Sequence, residues 1–225
     1  MKLIAVFIIL LMMTTVPSYA ASPQEVEGSD LGAEAIFDDQ ALIDGYMQKY
    51  GEESKDILLA MISDDSLGAY KTAAAVKVFK QKYVKDILSH EKAGVTKTLI
   101  RRLNRSDSAF VQVEIMHTLV VLDRYQYFES MTPALIQKMN HYNHVVSRMA
   151  YDDLNEILKG STRNREARIV FNTMRKIFFL SRNRLDGVDE PDEQLKQKLA
   201  ILRWSIKVLG TQMLKSLPQE VIRLL

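Results

Sequence analysis

The chain has 225 residues, of which 47% are hydrophobic and 26% are charged, with a formal net charge of +2. These proportions are typical of a globular protein with a sizeable core. It has no cysteine, which excludes a disulfide framework. With only nine glycines and five prolines and no alternating strand followed by a hairpin turn, the composition favours an all-α fold.

Residues 1–20 have the features of a secretory signal peptide. Lys2 precedes the apolar stretch Leu3–Val16, and small residues fit a signal peptidase site that cleaves after Ala20. The stretch is about 14 residues long, short of the roughly 20 that a membrane-spanning helix needs. We therefore expect cleavage, with no transmembrane segment left. Small secreted domains of eukaryotes usually rely on disulfides, so an exported chain without them fits the bacterial periplasm best, and the predicted location is periplasmic or secreted.

The next segment is acidic. Residues 21–40 hold six acidic residues and no basic one, and without Lys2 the rest of the chain has 29 basic residues against 22 acidic ones. We interpret residues 21–37 as a disordered leader. The alternative is that this leader lies over a basic surface of the domain formed by residues 38–225.

From residue 38 onward, apolar residues recur at helical spacing. A first helix is predicted from Asp38 or Asp39 to Tyr50, ending at Gly51. Paired helices follow, and the predicted pairs are Asp56–Ile62 with Tyr70–Phe79, Val95–Leu103 with Val111–Leu122, and Pro133–Met139 with Val145–Leu158. The breaks inside the pairs are rich in Ser, Asp and Asn, whose side chains are expected to cap the following helix.

The C-terminal part is predicted to be less regular. A basic linker over residues 159–166 leads to a helix that ends near Leu180, and a loop over residues 182–191 follows. A further helix is expected to end at Gly210, and Pro218 is expected to open a short terminal helix. We expect this part to act as an atypical cap.

The second helices of the three pairs share a pattern. The segments "YKTAA" (70–74), "VQVEI" (111–115) and "VSRMA" (146–150) superpose at spacings of 41 and 35 residues. This pattern, with the polar turn before it, resembles the HEAT-repeat family. The resemblance implies a short α-solenoid of stacked antiparallel helical hairpins, with about four units including a degenerate last one.

Stacked hairpins present an extended groove lined by their second helices. We therefore predict a non-enzymatic scaffold that binds another protein, not nucleic acid, and needs no cofactor or metal. The predicted groove residues are Lys71, Gln112, Glu114, His117, Ser147 and Arg148.

Other residues form one candidate metal site and suggest two alternative functions. His141 and His144 lie three residues apart but in a turn, without a metal-binding motif. An all-α enzyme that cleaves an envelope glycan would use a groove carboxylate, for which Glu114 is the candidate because it lies inside the most apolar helix. The segment 161–217, with 12 basic residues against six acidic ones, could instead bind anionic envelope surfaces.

Trp204, between Arg203 and Lys207, is a candidate interface residue, since Trp and Arg are enriched at binding hot spots. The alternative is that Trp204 packs beneath the C-terminal segment. The sequence leaves both open.

Overall fold

The computed structural model describes residues 40–225, so the proposed signal peptide, the acidic leader and Asp38 and Asp39 lie outside the described residues. Within residues 40–225 the chain is helical and contains no β-strand, as the composition predicts. In chain order the α-helices are α1 (Gln40–Tyr50), α2 (Lys55–Ser63), α3 (Ala69–Lys82), α4 (Ser89–Arg105), α5 (Ala109–Asp123), α6 (Phe128–Lys138), α7 (His144–Leu158), α8 (Asn164–Leu185), α9 (Glu193–Leu209) and α10 (Gln219–Leu224).

The helices pack in a regular pattern. Consecutive helices form four contacting pairs, α2 with α3, α4 with α5, α6 with α7, and α8 with α9. Each helix of a pair also contacts the corresponding helix of the next pair. The first helices, α2, α4, α6 and α8, are called the first row, and the second helices, α3, α5, α7 and α9, are called the second row. Helix α1 packs on α3, and α10 packs on α8.

Helix α5 lies at the centre of this packing. It contacts α3 and α7 in its own row and α4 and α6 in the first row. Val113, Ile115, Met116 and Leu119 are fully buried as a result. This burial on several sides agrees with the apolar character of the segment in the sequence. Next to it, the buried alanines Ala73–Ala75 remove side-chain bulk where α3 meets its neighbours.

The fourth residue of α3, α5 and α7 is polar and buried, and its side chain hydrogen-bonds to the backbone just before the helix. The hydroxyl of Thr72 donates to the carbonyl of Leu67 at 3.3 Å, Gln112 Nε2 donates to the carbonyl of Ser106 at 2.6 Å, and Ser147 Oγ donates to the carbonyl of Met139 at 2.9 Å. The three helices therefore align on Thr72, Gln112 and Ser147. The predicted alignment, which placed Lys71 at this position, is off by one residue in the first pair.

The capping prediction holds for one of the three breaks. Asn143 Oδ1 accepts from the backbone N–H of Val145 at 2.9 Å at the start of α7. Helix α3 begins after Gly68, which has no side chain to cap it, and Ser108 before α5 makes no capping hydrogen bond. In α3 and α5, the side chain of the buried polar residue at the fourth position instead donates a hydrogen bond to a backbone carbonyl of the preceding break.

Several helices are longer than predicted; α6, for example, begins at Phe128, so Pro133 lies inside it and not at its predicted start. Helix α4 begins at Ser89, before the first predicted apolar residue, Val95, because the carboxylate of Glu91 accepts from the backbone N–H of Leu88 at 3.2 Å. Helix α8 continues past Leu180 to Leu185, which is buried and whose carbonyl accepts from Arg223 at 3.3 Å. Among residues 40–225, no helix combines the length and the apolar character that crossing a bilayer requires.

Candidate functional site

A cluster of ionisable residues connects the first three helices of the second row, α3, α5 and α7. Glu114 of α5 is almost fully buried, and its carboxylate lies 3.0 Å from Lys80 Nζ and 3.9 Å from Lys77 Nζ, both on α3. Lys77 is also buried. A buried carboxylate is tolerated when cations compensate its charge, so the two lysines explain why Glu114 occupies an otherwise apolar helix.

His117 of α5 and Asp153 of α7 extend this cluster to the next helix. His117 Nε2 lies 3.6 Å from Asp153 Oδ1. Burial lowers the pKa of His117, and the charges of Lys80 and Lys77 lower it further. Burial raises the pKa of Asp153 to about 8, helped by the negative charge of Asp152. Both groups are therefore uncharged at neutral pH, and their contact is not an ion pair.

The predicted groove residues divide into buried and exposed ones. Gln112 and Ser147 are each only 1% exposed, so the expectation that they face a groove is wrong, because their side chains bond the preceding breaks. Glu114, bound by the lysines, is buried as well. His117 is partly exposed.

Lys71 and Arg148 are exposed, as predicted. Lys71 Nζ lies 5.8 Å from the centroid of the Tyr46 ring on α1, within the range of a cation–π contact. Arg148 Nε lies 4.0 Å from the carboxylate of Asp152, one turn further along α7. These two residues lie on different helices, and no direct contact joins them into one site.

The second row opens into a cleft between α7 and α9. The two helices pack less closely than α5 and α7 do, which leaves a volume of about 470 Å³. Its apolar wall consists of Leu158 from α7 and Ala200, Ile201 and Trp204 from α9. Trp204 is half-buried here. It therefore lines the cleft with part of its surface accessible.

On the α7 side the cleft is lined mainly by polar residues, which come from α7 and the turn after it. The residues on this wall are Asp152, Asn155, Glu156, Lys159 and Gly160. Glu156 accepts from Arg124 at 2.9 Å. Burial raises the pKa of Asp152, and Arg148 opposes that shift. An apolar wall facing a rim with two carboxylates suits a partner that combines an apolar side chain with a basic one.

The neighbours of Trp204 have different roles. Arg203 donates to the backbone carbonyls of Leu224 at 3.0 Å and Leu225 at 3.3 Å. It is therefore Arg203 that holds the C-terminal segment against α9. Lys207 is exposed near the end of α9.

The polar wall of the cleft was not predicted. Asp152, Asn155, Glu156 and Lys159 lie at positions i, i+3, i+4 and i+7 along α7 and its C-cap, which places them on one helical face. That stripe was visible in the sequence, but only the approach of α9 brings an apolar surface opposite it. Nothing in the spacing within α7 predicts where α9 lies.

Two further ionisable residues, Asp65 and His141, stabilise the breaks between helices through hydrogen bonds. Asp65 accepts from Arg102 at 2.8 Å and from Arg105 at 2.6 Å, which joins α4 to the α2–α3 turn. These two arginines lower the pKa of Asp65. His141 Nδ1 accepts from the backbone N–H of Asn143 at 3.1 Å, which stabilises the turn before α7.

Comparisons with protein-family models, curated proteins and solved structures found no match to this chain.

Proposed function

We propose that this protein is an exported, non-enzymatic scaffold that binds a segment of another protein in the cleft between α7 and α9. In this proposal Trp204 is the anchor for an apolar side chain, and Asp152 receives a basic one. The observation that carries it is the half-buried Trp204 facing a rim of carboxylates. Aromatic anchors inside polar rims are typical of binding hot spots.

We further propose that residues 40–225 form a short HEAT-like α-solenoid. Two features support this architecture: each row places corresponding helices next to one another, and a polar residue recurs at the fourth position of α3, α5 and α7. In such arrays the second helices commonly line the binding surface, which is where the cleft lies.

Export is part of the proposal and rests on the signal-like residues 1–20. It places the partner in the bacterial envelope or outside the cell. Cleavage after Ala20 is tested by sequencing the N-terminus of the protein recovered from the periplasm. Recovery with residues 1–20 still attached, or from the cytoplasm alone, would contradict export.

Site-specific photo-cross-linking tests the binding site. A photoreactive amino acid replaces Asn155 on the cleft wall, and the matched control replaces Lys97, which is exposed on α4 in the first row. We expect a defined cross-linked protein from position 155 and none from position 97. The product should be lost when Asp152→Lys reverses the charge of the rim. Equal cross-linking from both positions, or persistence of the product in the Asp152 variant, would contradict the cleft as the binding site.

A glycan-cleaving enzyme is the second candidate function, favoured by one observation. Two buried carboxyl groups lie near His117 in different surroundings: Glu114 is ion-paired with Lys80, whereas burial raises the pKa of Asp153 to about 8. An ionised and a protonated carboxyl are the pair that glycosidases use. Both side chains are buried, however, which restricts access by a polymer. Turnover of an envelope glycan that Glu114→Gln abolishes would favour the enzyme over the scaffold.

A further inference from the structure

The C-terminal half of α8 carries an apolar surface that no other helix covers. Helix α8 packs on α6, α9 and α10. On its free side, Leu180 is 89% exposed and Phe179 is 44% exposed. Leu180 is the most exposed large apolar side chain among residues 40–225. Adjacent exposed apolar residues of this size are unusual in a helix that only faces water.

Basic residues surround these two side chains. Arg175 and Lys176 lie one turn before them, and Arg182 and Arg184 lie about one turn after them. None of the ion pairs within residues 40–225 involves any of these four bases. The free side of this half of α8 is therefore positive as well as apolar.

The nearby acidic groups do not neutralise this surface. The single acid of α8, Glu166, is buried at the other end of the helix, where it bonds Ser161 and Arg163. The loop after α8 contains acids, and two of them, Glu190 and Asp192, line a cleft together with Arg184. Arg184 therefore lies beside the acidic residues of that loop and is not counted with the bases near Phe179 and Leu180. Arg175, Lys176 and Arg182 remain as the bases beside Phe179 and Leu180.

We propose that this surface docks on an anionic lipid bilayer. Phe179 and Leu180 insert at the level of the headgroups, and Arg175, Lys176 and Arg182 contact the lipid phosphates. Apolar side chains flanked by bases with long aliphatic stems are the composition of helices that lie at a membrane interface. A soluble acidic protein would account for the bases but leaves the exposed Leu180 without a contact. This surface lies on the first row and does not depend on the α7–α9 cleft.

Vesicle co-sedimentation tests the proposal with the full chain, secreted from its own leader so that every variant carries the same N-terminus. We expect binding to mixed phosphatidylglycerol–phosphatidylcholine vesicles and little binding to pure phosphatidylcholine vesicles. Replacing both Phe179 and Leu180 by Ser should weaken binding about tenfold or more. Lys176→Gln and Arg182→Gln should each weaken it about fivefold. The matched control is Tyr142→Ser, which removes another exposed apolar side chain, 81% exposed, on the α6–α7 turn, and should leave binding unchanged.

A fluorescence measurement reports insertion directly. The emission of L180W should shift to the blue with anionic vesicles, whereas that of Y142W should not. Three results would overturn the proposal: no binding of the wild-type chain to anionic vesicles, equal binding to neutral vesicles, or binding that depends on the bases but not on Phe179 and Leu180. The last result would assign the surface to a soluble acidic partner.

Discussion

Asp153 is buried between α5 and α7, and among the described residues the only basic group within ion-pair distance is the uncharged imidazole of His117, 3.6 Å away. Its Oδ2 atom has no hydrogen-bond partner among the described residues. A carboxyl in this environment keeps its proton, since ionisation without a compensating charge is unfavourable in a low-dielectric site. Glu114 is equally buried but faces two lysines. Glu114 therefore has the compensating positive charges that Asp153 lacks.

The free energy of unfolding is predicted to fall as the pH rises from 6.5 to 8. The unfolded chain loses the Asp153 proton near pH 3.8, whereas the folded chain keeps it until about pH 8. The folded state binds one more proton over that range, so stability decreases by about 1.4 kcal/mol per pH unit. Below pH 6.5, His117 makes the free energy of unfolding rise with pH, because its pKa is lower in the folded chain than in the unfolded chain. Above pH 6.5 the effect of Asp153 is expected to dominate.

Urea denaturation of wild type and Asp153→Asn at several pH values checks this prediction. The Asn variant should be more stable than wild type at pH 7.5 and should lose the decline above pH 6.5. Asp56→Asn, at an exposed position on α2, is the control and should follow the wild-type curve. Parallel curves for wild type and the Asp153 variant would contradict a protonated Asp153.

At the scale of the helix, α5 depends on contacts on nearly all sides. Its neighbours in both rows bury its apolar residues, and its polar residues at positions 112 and 114 are bonded within the protein. Such a helix derives little of its stability from its own propensity, since β-branched residues are frequent in it. Tertiary packing therefore stabilises it.

Leu119→Ala is predicted to lower the free energy of unfolding by about 2–5 kcal/mol, because it leaves a cavity in the centre of the packing. Leu119 is fully buried. Val121→Ala on the same helix is the matched control, since Val121 is 54% exposed and its replacement should change stability by about 0.5 kcal/mol or less. Chemical denaturation measures both. A near-zero effect of Leu119→Ala would contradict its central position.

The α2–α3 turn and α4 are joined by a clamp, which consists of Asp65, Arg102 and Arg105. Asp65→Asn is predicted to speed amide hydrogen exchange in α2 and at the start of α3, because Arg102 is buried and loses its carboxylate partner. The lowered pKa of Asp65 means that this clamp persists to a lower pH than a free aspartate would allow. Asp56→Asn is again the control. Unchanged exchange in α2 would show that the clamp is dispensable.

At the scale of the described domain, helices contact near neighbours in the chain and not distant ones. Helix α9 has its closest contacts with α8, and α1 with α3. Arrays built this way have a stability that is roughly a sum of local terms. A destabilising substitution at one end of the domain is therefore expected to affect the stability of nearby helices only.

Leu199→Ala tests this property by native-state hydrogen exchange. Leu199 is buried in α9, so its truncation should speed exchange in α8 and α9 and leave α1–α3 largely unaffected. Leu58→Ala, at a buried position in α2, is the complementary variant and should produce the reverse distribution. A uniform increase across all helices in either variant would favour a single cooperative core over a stacked array.

Helix positions were predictable because they depend on local patterns. The spacing of apolar residues located the three central pairs, and Gly210 and Pro218 marked the end of α9 and the start of α10 as expected. The extra turn of α4 was missed because it depends on a side chain, Glu91, that Lys55 of α2 holds at 2.5 Å. Such a contact joins distant parts of the chain and has no signature in the periodicity.

The sequence by itself determined that the chain is helical, where most helices begin and end, and which helix is the most buried, because these properties follow from residue spacing along one segment. Only the tertiary structure decided which polar residues are accessible. Gln112 and Ser147 looked like groove residues but bond the preceding breaks, whereas Asp152 and Asn155 face Trp204 across a cleft. The physical reason is that exposure depends on how neighbouring helices are placed, and their placement results from contacts between residues far apart in the chain.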